Sequence, residues 1–225
     1  MATEYDFIAV GDITTDAFIK LKKENTTIFC DESGRKCKLC MNFGDKIEYE
    51  SVTEVYAVGN SPNAAVAARR LGLRSALVTN MGDDLRGKQK IAQLEKEGIP
   101  TDFVKVHKGK ESNYHFVLWY EEERTILVKH NEYPYEMPDI GTPQWLYLSS
   151  LGENSMPFHH AIANYIQTHP STKLAFQPGT FQMKLGYETL KDVYAVTTLF
   201  FCNLQEAQRI LKTEERDAKK RRACV

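Results

Sequence analysis

The stretch "SALVTNMGDDLRGKQKIAQLEKEGIP", residues 75–100, contains the pattern that decides the fold class. An apolar, β-rich run at Ser75–Gly82 ends in a turn residue, as buried strands commonly do. It is followed by a helical pattern at Asp83–Glu97, which stops at Gly98. One strand followed directly by one helix predicts the repeating unit of an α/β protein.

The segment Gly82–Lys88 also has the glycine and lysine spacing of a phosphate-binding P-loop. Gln89, however, stands where a P-loop needs Ser or Thr to ligate magnesium. Asp83 and Asp84 would place two negative charges in the phosphate cradle. Their repulsion of a phosphate would exceed its attraction to the helix N-terminus, which is only roughly 0.3–1 kcal/mol. We therefore exclude a P-loop and predict that the two aspartates cap the helix.

The same alternation of strand and helix patterns continues along most of the chain. Further strands are predicted at Tyr5–Gly11, Trp145–Ser150, Lys173–Gly179 and Thr197–Asn203. Further helices are predicted at Asn63–Leu71, Phe158–His169, Tyr187–Val193 and Leu204–Leu211. This alternation predicts a mostly parallel sheet with helices on both faces.

Two regions, residues 20–57 and 113–129, break this alternation. The second reads "NYHFVLWYEEERTILVK", two β-rich runs joined by the acidic turn Glu121–Glu123. Parallel α/β sheets bind ligands beyond the carboxyl ends of their strands, so a small separate sheet there would act as a lid. We expect one domain over residues 1–225, ending in a charged tail at 212–225.

Composition and charge exclude several classes of protein. The chain has 225 residues, with 29 basic and 30 acidic residues and a formal charge of -1. This balance argues against bulk electrostatic binding to nucleic acid or an anionic membrane. An acidic start and the lack of a long apolar run predict a cytoplasmic protein without a membrane span.

The number of cysteines is five, which is odd, and the sequence shows no secretory signal. Both observations argue against a disulfide framework. In "FCDESGRKCKLC", Cys37 and Cys40 form a C-x-x-C pair and Cys30 lies upstream. These three thiolates would bind zinc if Asp31 or a distant histidine supplied a fourth ligand, which would make a zinc-dependent interaction module. Free surface thiols are the alternative.

Two segments near the start of the chain suggest a sugar site. Asp16 follows the first predicted strand, where a carboxylate accepts hydrogen bonds from two neighbouring hydroxyls; this suits an uncharged polyol, and a turn cap is the alternative. In "VGNSPNAAVAARRLG", residues 58–72, Gly59 permits close backbone approach. Asn63 opens a helix of small residues whose first amides would face a ligand, and an ordinary capped helix is the alternative.

The sequence "CNLQE" places Asn203 and Glu206 three residues apart at a predicted helix start. Asn203 can cap the helix and offer an amide to a phosphate, while Glu206 can orient water around a magnesium ion. The alternative is a capping box, in which Glu206 returns to the backbone of Asn203.

Taken in order, these segments resemble the ribokinase-like (PfkB) family of carbohydrate kinases. The resemblance runs from about Tyr5 to Leu211 and rests on five segments: "AVGDITTDAF", "VGNSPNAAVAARRLG", "VTNMGDDLRGKQKIAQLEKEGIPTDFV", "YHFVLWYEEERTILV" and "FFCNLQEAQRIL". It implies a three-layer α/β/α core with a mostly parallel sheet and a small β lid. It also implies transfer of the ATP γ-phosphate, with Mg²⁺, to a hydroxyl of a sugar or nucleoside.

The resemblance assigns sugar binding to Asp16, Gly59 and Asn63. It assigns the placement of magnesium and phosphates to Asn203 and Glu206. The lid strands would exclude water, which competes as a phosphoryl acceptor. A homodimer joined through the lid is a further expectation.

Three departures from the family pattern affect these expectations. Val58 replaces the first of two glycines, and the cysteine segment lies where the lid begins. The family's second signature, similar to Asp-Thr-x-Gly-Ala-Gly-Asp, is absent from the 225 residues; it supplies the backbone anion hole and the catalytic aspartate.

The size of that loss sets the expected activity. A general base contributes about 10²–10⁴-fold, and an anion-hole donor about 10²–10³-fold. We therefore expect a C-terminally incomplete fold, no catalytic residue in this chain and negligible kinase activity. The alternative is a non-catalytic sugar-binding or regulatory remnant.

Overall fold

The computed structural model describes residues 5–32, 34 and 36–215. Its centre is a six-stranded sheet in which every neighbouring pair of strands is parallel. In spatial order the strands are β12 (Thr197–Phe200), β11 (Lys173–Phe176), β10 (Trp145–Leu148), β1 (Phe7–Val10), β6 (Ser75–Gly82) and β7 (Val104–His107). All residues of β6 are buried, as expected for a parallel strand covered on both faces.

Helices cover both faces of this sheet. They are α1 (Asn60–Arg70), α2 (Leu85–Lys96), α3 (Met156–Thr168), α4 (Thr180–Leu185), α5 (Lys191–Val196) and α6 (Leu204–Leu211). On one face, Ile8 and Val10 pack in a core with Phe158 of α3 and Val193 of α5. Ala9 points to the opposite core, which α1 and α2 complete. The predicted three-layer α/β/α core is therefore confirmed.

A second, four-stranded sheet forms the lid. Its spatial order is β5 (Tyr49–Val58), β2 (Thr14–Leu21), β8 (Tyr114–Tyr120) and β9 (Glu123–Leu127). The pair β2 and β8 is parallel, whereas the outer pairs are antiparallel. The predicted hairpin is present, and Glu121 takes a positive φ of 53° at its tight turn. A separate hairpin joins β3 (Thr27–Cys30) to β4 (Cys37–Cys40).

Several element boundaries differ from the sequence prediction. Strand β7 was missed because its sequence, VKVH, lacks an apolar run, and the six-residue helix α4 is too short to show a clear period. Helix α1 begins at Asn60 with Gly59 as its N-cap, and the Asn63 amide donates to the Gly59 carbonyl at 3.0 Å. The prediction that Asn63 opens this helix was therefore wrong, and its amide is not free for a ligand.

The cysteine segment also differs from expectation. Cys30 and Cys37 form a disulfide, and Cys40 lies at the other end of the β3–β4 hairpin with a free thiol. Within the described ranges, no group of three or more His, Cys, Asp or Glu side chains is arranged to hold a metal ion. The structure thus gives no support to the zinc site at Cys30, Cys37 and Cys40, and it contains a disulfide that we did not expect.

The end of the chain is described only in part. Helix α6 stops at Leu211, and Lys212 takes a left-handed C-cap conformation. Residues 216–225 of the predicted charged tail lie outside the described residues. None of the helices in the described part is long and apolar enough to cross a membrane.

Candidate active site

A cleft of about 800 Å³ lies between the carboxyl ends of the core strands and the lid. Its core side includes Asp12 after β1, Ser150 after β10 and Gln177 after β11. All four lid strands contribute to its lid side, which includes the apolar residues Phe18, Val55, Val117 and Ile126. This is the position at which parallel α/β sheets bind small molecules.

Four of the five residues predicted for substrate or phosphate binding line this cleft. Asp16, Gly59, Asn63 and Glu206 all contribute to it, although they come from distant parts of the sequence. Asn203 is not among its lining residues. The fold therefore brings the two predicted halves of the site to one cavity.

Asp16 lies on lid strand β2 and is not a turn cap. Parallel pairing places it opposite His115 of β8, with its Oδ1 atom 3.3 Å from His115 Nδ1. Asp16 Oδ1 is buried without a hydrogen bond, and so is His115 Nε2. A buried polar atom without a hydrogen bond is costly, and both residues line the cleft, where a ligand hydroxyl can bond to their side chains.

Asp12 is held by more hydrogen bonds than Asp16. The Tyr135 hydroxyl donates to Asp12 Oδ1 at 2.9 Å, and His130 Nδ1 lies 3.1 Å from Oδ2. Burial, together with the adjacent Asp12 carboxylate, raises the pKa of Tyr135, which therefore remains a proton donor. The Tyr135 oxygen also accepts from the Gly152 amide.

A cluster of rings lies beside these carboxylates. The His115 and His130 rings are 5.3 Å apart, and Phe181 of α4 meets His130 edge-on at 5.2 Å. Sequence reasoning missed all three residues. His115 acquires its position only through the pairing of β2 with β8, and the element that carries Phe181 was not predicted.

Gly59 is the N-cap of α1, and its backbone conformation and its packing against the segment after β1 both require glycine. Its φ is +126°, and an added Cβ would lie 3.0 Å from the Asp12 carbonyl oxygen. An L side chain is therefore strained there both by conformation and by space. Next to it, the Ser61 hydroxyl donates to the Val10 carbonyl at 2.7 Å, which fixes α1 against β1.

Asn203 and Glu206 form the capping box that the sequence offered as an alternative. The Asn203 amide donates to Glu206 Oε2 at 2.9 Å, and the Glu206 amide donates to Asn203 Oδ1 at 2.8 Å. Glu206 still lines the cleft, and its Oε1 atom has no hydrogen bond to a described residue. Capping therefore leaves one carboxylate oxygen of Glu206 available.

Two cations line the cleft from opposite sides. Arg124 belongs to lid strand β9, whereas Lys184 belongs to α4 of the core and lies 5.2 Å from the centre of the Phe181 ring. Neither cation forms an ion pair within the described part of the chain. Both are suited to meet the negative charge of a phosphate.

The segment that resembles a P-loop has a structural role. Asp84 caps α2 by accepting from the Gly87 amide at 2.8 Å, whereas Asp83 accepts from Gly109. The capping prediction is therefore confirmed for Asp84 and wrong for Asp83. A Cβ on Gly87 would lie 2.0 Å from the Gly82 carbonyl oxygen, so this glycine serves close backbone packing.

Known proteins resemble this chain in sequence and in fold. An uncharacterized sugar kinase from Archaeoglobus fulgidus is 24% identical over 163 residues, which are 69% of this chain and 64% of that protein. The chain thus spans 64% of the length of this curated relative.

Solved structures share the fold at low sequence identity. Ribokinase from Giardia lamblia has a TM-score of 0.76 at 17% identity, covering 98% of this chain and 64% of that one. Arabidopsis thaliana ribokinase, complexed with ribose and ATP, has a TM-score of 0.72 at 14% identity, covering 98% and 67%. The family model of pfkB family carbohydrate kinases matches residues 27–225. Because that match covers most of the chain, the protein belongs to the pfkB family of carbohydrate kinases.

Proposed function

We propose that the protein is an ATP-dependent kinase that phosphorylates a hydroxyl of a sugar or nucleoside. One observation carries this proposal: Asp16, Gly59, Asn63 and Glu206 line a single cleft beneath the lid. Membership of the pfkB family supports the same reaction class.

The polar atoms of the cleft favour an uncharged polyol as the acceptor. The Asp16 carboxylate lines the cleft and has one oxygen without a hydrogen bond, and neighbouring hydroxyls can donate to a carboxylate. The His130 and Phe181 rings provide an apolar surface beside it, against which a sugar ring or a base can pack. Asn63 lies at the same cleft and offers a side-chain amide.

The phosphate side of the proposed site contains Glu206, Arg124 and Lys184. Magnesium commonly binds through one or two carboxylates together with substrate phosphates and water. Glu206, with one oxygen outside its capping bond, fits that role. Arg124 and Lys184 would neutralise phosphate charge, and magnesium would supply further charge stabilisation when bound.

We further propose that these 225 residues bind the sugar but transfer phosphate negligibly by themselves. They contain no Gly-Ala-Gly-Asp segment, and lack of a general base and an anion-hole donor costs at least ~10⁴ in rate. A non-catalytic sugar-binding protein is the second candidate. The polar side chains of Asp16 and His115 at the cleft support sugar binding in this candidate as much as in the kinase.

The proposal is tested by titrating the chain with a panel of pentoses, hexoses and nucleosides in a calorimeter. We expect saturable binding of at least one of them, and at least tenfold weaker binding by Asp16→Asn. Asp102→Asn is the matched control, because Asp102 is exposed and lies away from the cleft. If the wild-type chain binds no member of the panel, the proposal is wrong. Magnesium-dependent binding of ATP separates the kinase from the non-catalytic candidate.

We also propose that the lid mediates a homodimer. Strand β5 is an edge strand of the lid sheet, and it exposes Tyr49 and Val52. Exposed apolar edges are suited to pair with a second chain. Sedimentation should give a dimer that Val52→Lys converts to a monomer; a monomeric wild type would exclude this arrangement.

A further inference from the structure

Lys90 on α2 is fully buried, although lysine is among the residues least often found inside proteins. Its ammonium group donates to the Asn113 carbonyl oxygen at 2.8 Å. It forms no ion pair with any carboxylate in the described part of the chain. Burying an ammonium group is costly, so this contact serves a purpose beyond filling space.

The carbonyl that Lys90 contacts lies where the chain enters the lid. Asn113 immediately precedes β8, and its carbonyl oxygen also accepts from the Thr15 amide of β2 at 3.2 Å. Thr15 and Tyr114 are the first register pair of these two parallel strands. One lysine thus contacts a backbone oxygen that joins the two strands where they enter the lid.

The neighbouring residue Ser112 is held in the same way. Its hydroxyl donates to Asp84 Oδ1 at 2.6 Å, and its amide donates to Asp84 Oδ2 at 3.1 Å. Burial opposes ionisation of Asp84, but these hydrogen bonds and that of Gly87 lower its pKa. Two side chains, those of the α2 N-cap Asp84 and of Lys90 in the middle of α2, therefore fix consecutive residues at the entry to β8.

The residues that follow these anchors belong to the sugar site. Asp16 follows Thr15 and His115 follows Tyr114, and the two lie opposite each other over the cleft. Burial holds the pKa of Lys90 near 8, although Asp84 and Asp16 act to raise it. Arg86 acts with burial to lower it.

We propose that Lys90 is a positioning residue, which holds β2 and β8 together at Asn113 and so sets Asp16 and His115 over the cleft. The part of this inference that concerns the sugar rests on the proposed function. The part that concerns the strands does not, because it can be measured on the protein without ligand.

The test compares Lys90→Met with Lys88→Met in the full 225-residue chain. Methionine fills similar space but has no donor or charge, and Lys88 is an exposed residue two positions earlier in the same helix. We expect Lys90→Met to speed amide exchange at least tenfold in residues 14–18 and 113–117, with β10 and β11 unchanged. Sugar affinity should fall about tenfold, while the melting temperature stays within a few degrees, because an apolar side chain replaces a buried charge. Lys88→Met should change none of these quantities.

The outcomes separate positioning from a merely structural role. Unchanged exchange in both segments, exchange that rises throughout the core, or unchanged sugar affinity despite looser strands would each overturn the inference. If Lys90→Met does not fold, Ser112→Ala can be measured instead, because it removes the hydroxyl bond from Ser112 to Asp84 next to Asn113. Amide exchange in residues 14–18 and 113–117 should then rise by a smaller factor. Should the wild type bind no sugar, the proposed function fails, and exchange alone decides whether Lys90 fixes the strands.

Discussion

The proposed sugar side of the cleft, with Asp12, Asp16 and His115, differs from its α6 side, with Asn203 and Glu206, in how its polar side chains are hydrogen-bonded. On the sugar side, Asp16 Oδ1 and His115 Nε2 are buried without hydrogen bonds. On the α6 side, Asn203 and Glu206 are bonded to each other, and Asn203 is exposed to solvent. Buried polar atoms without hydrogen bonds are costly, whereas a closed capping pair satisfies its own hydrogen bonds. Asp16 and the Asn203–Glu206 pair predict function equally well from the sequence. Their burial and hydrogen bonds in the structure distinguish them.

The largest effect is expected at Asp12, on the sugar side. Asp12→Ala removes the acceptor of Tyr135 and the partner of His130, and it leaves a buried hydroxyl without its bond. We expect a loss of about 3 kcal/mol in the free energy of unfolding. Urea denaturation measures it, with Asp102→Asn as control. If Asp12→Ala lowered the free energy of unfolding by less than Asn203→Ala does, the expected difference between the two sides of the cleft would be wrong.

The buried lysine beneath the sugar side should make stability depend on pH. The pKa of Lys90 is about 8 when folded, below the ordinary 10.5, so the unfolded chain binds the proton more tightly between these values. Stability therefore rises with pH in this window, by about 2 kcal/mol from pH 8 to 10.

Above pH 10 the buried tyrosines act in the opposite sense. Burial raises the pKa of Tyr147 and of Tyr194 to about 12, so the stability they contribute is lost as the pH rises through that value. Chemical denaturation across pH 7–11 should show the rise in the wild type and not in Lys90→Met. An equal rise in both proteins would assign it to another group.

The capping pair should contribute a moderate amount of stability and little to sugar binding. Asn203→Ala removes the side-chain acceptor of the Glu206 amide, which we expect to cost about 1 kcal/mol. Sugar affinity, measured by calorimetry, should stay within twofold. A large loss of sugar affinity would show that the two sides of the cleft are coupled.

The smallest effect on stability is expected for Glu206→Gln. Glutamine retains an oxygen acceptor for the Asn203 amide, so the free energy of unfolding should change by less than about 0.5 kcal/mol. Magnesium-dependent ATP binding should weaken, because the charge of the carboxylate is lost. Unchanged ATP binding would leave Glu206 with its capping role alone.

Local patterns predicted those parts of the molecule whose structure depends on neighbouring residues. The strand Ser75–Gly82 has the predicted bounds, and the hairpin turns at the acidic residues that were expected. Asp84 caps α2 as predicted. The short elements β7 and α4 lack such a signal, and nothing local showed that Cys30 and Cys37 would pair.

The sugar side could be predicted only in part. Asp16 was identified from its place after the first strand, and its role remains a prediction. Tyr135 reaches Asp12 from 123 residues away, and His130 from 118. Neither residue lies in a motif, so no spacing in the sequence could identify it.

The sequence by itself determined the α/β class, the alternation of strands and helices, the lid hairpin and the family, because periodicity and short motifs act over neighbouring residues. The tertiary structure decided which side chains meet. It placed His115 opposite Asp16, buried Lys90 beneath the lid and closed Asn203 onto Glu206. The first two depend on strand pairing and helix packing between distant segments, whose register is set by the whole fold. The third depends on the backbone geometry at the start of one helix, where the sequence left two interpretations open.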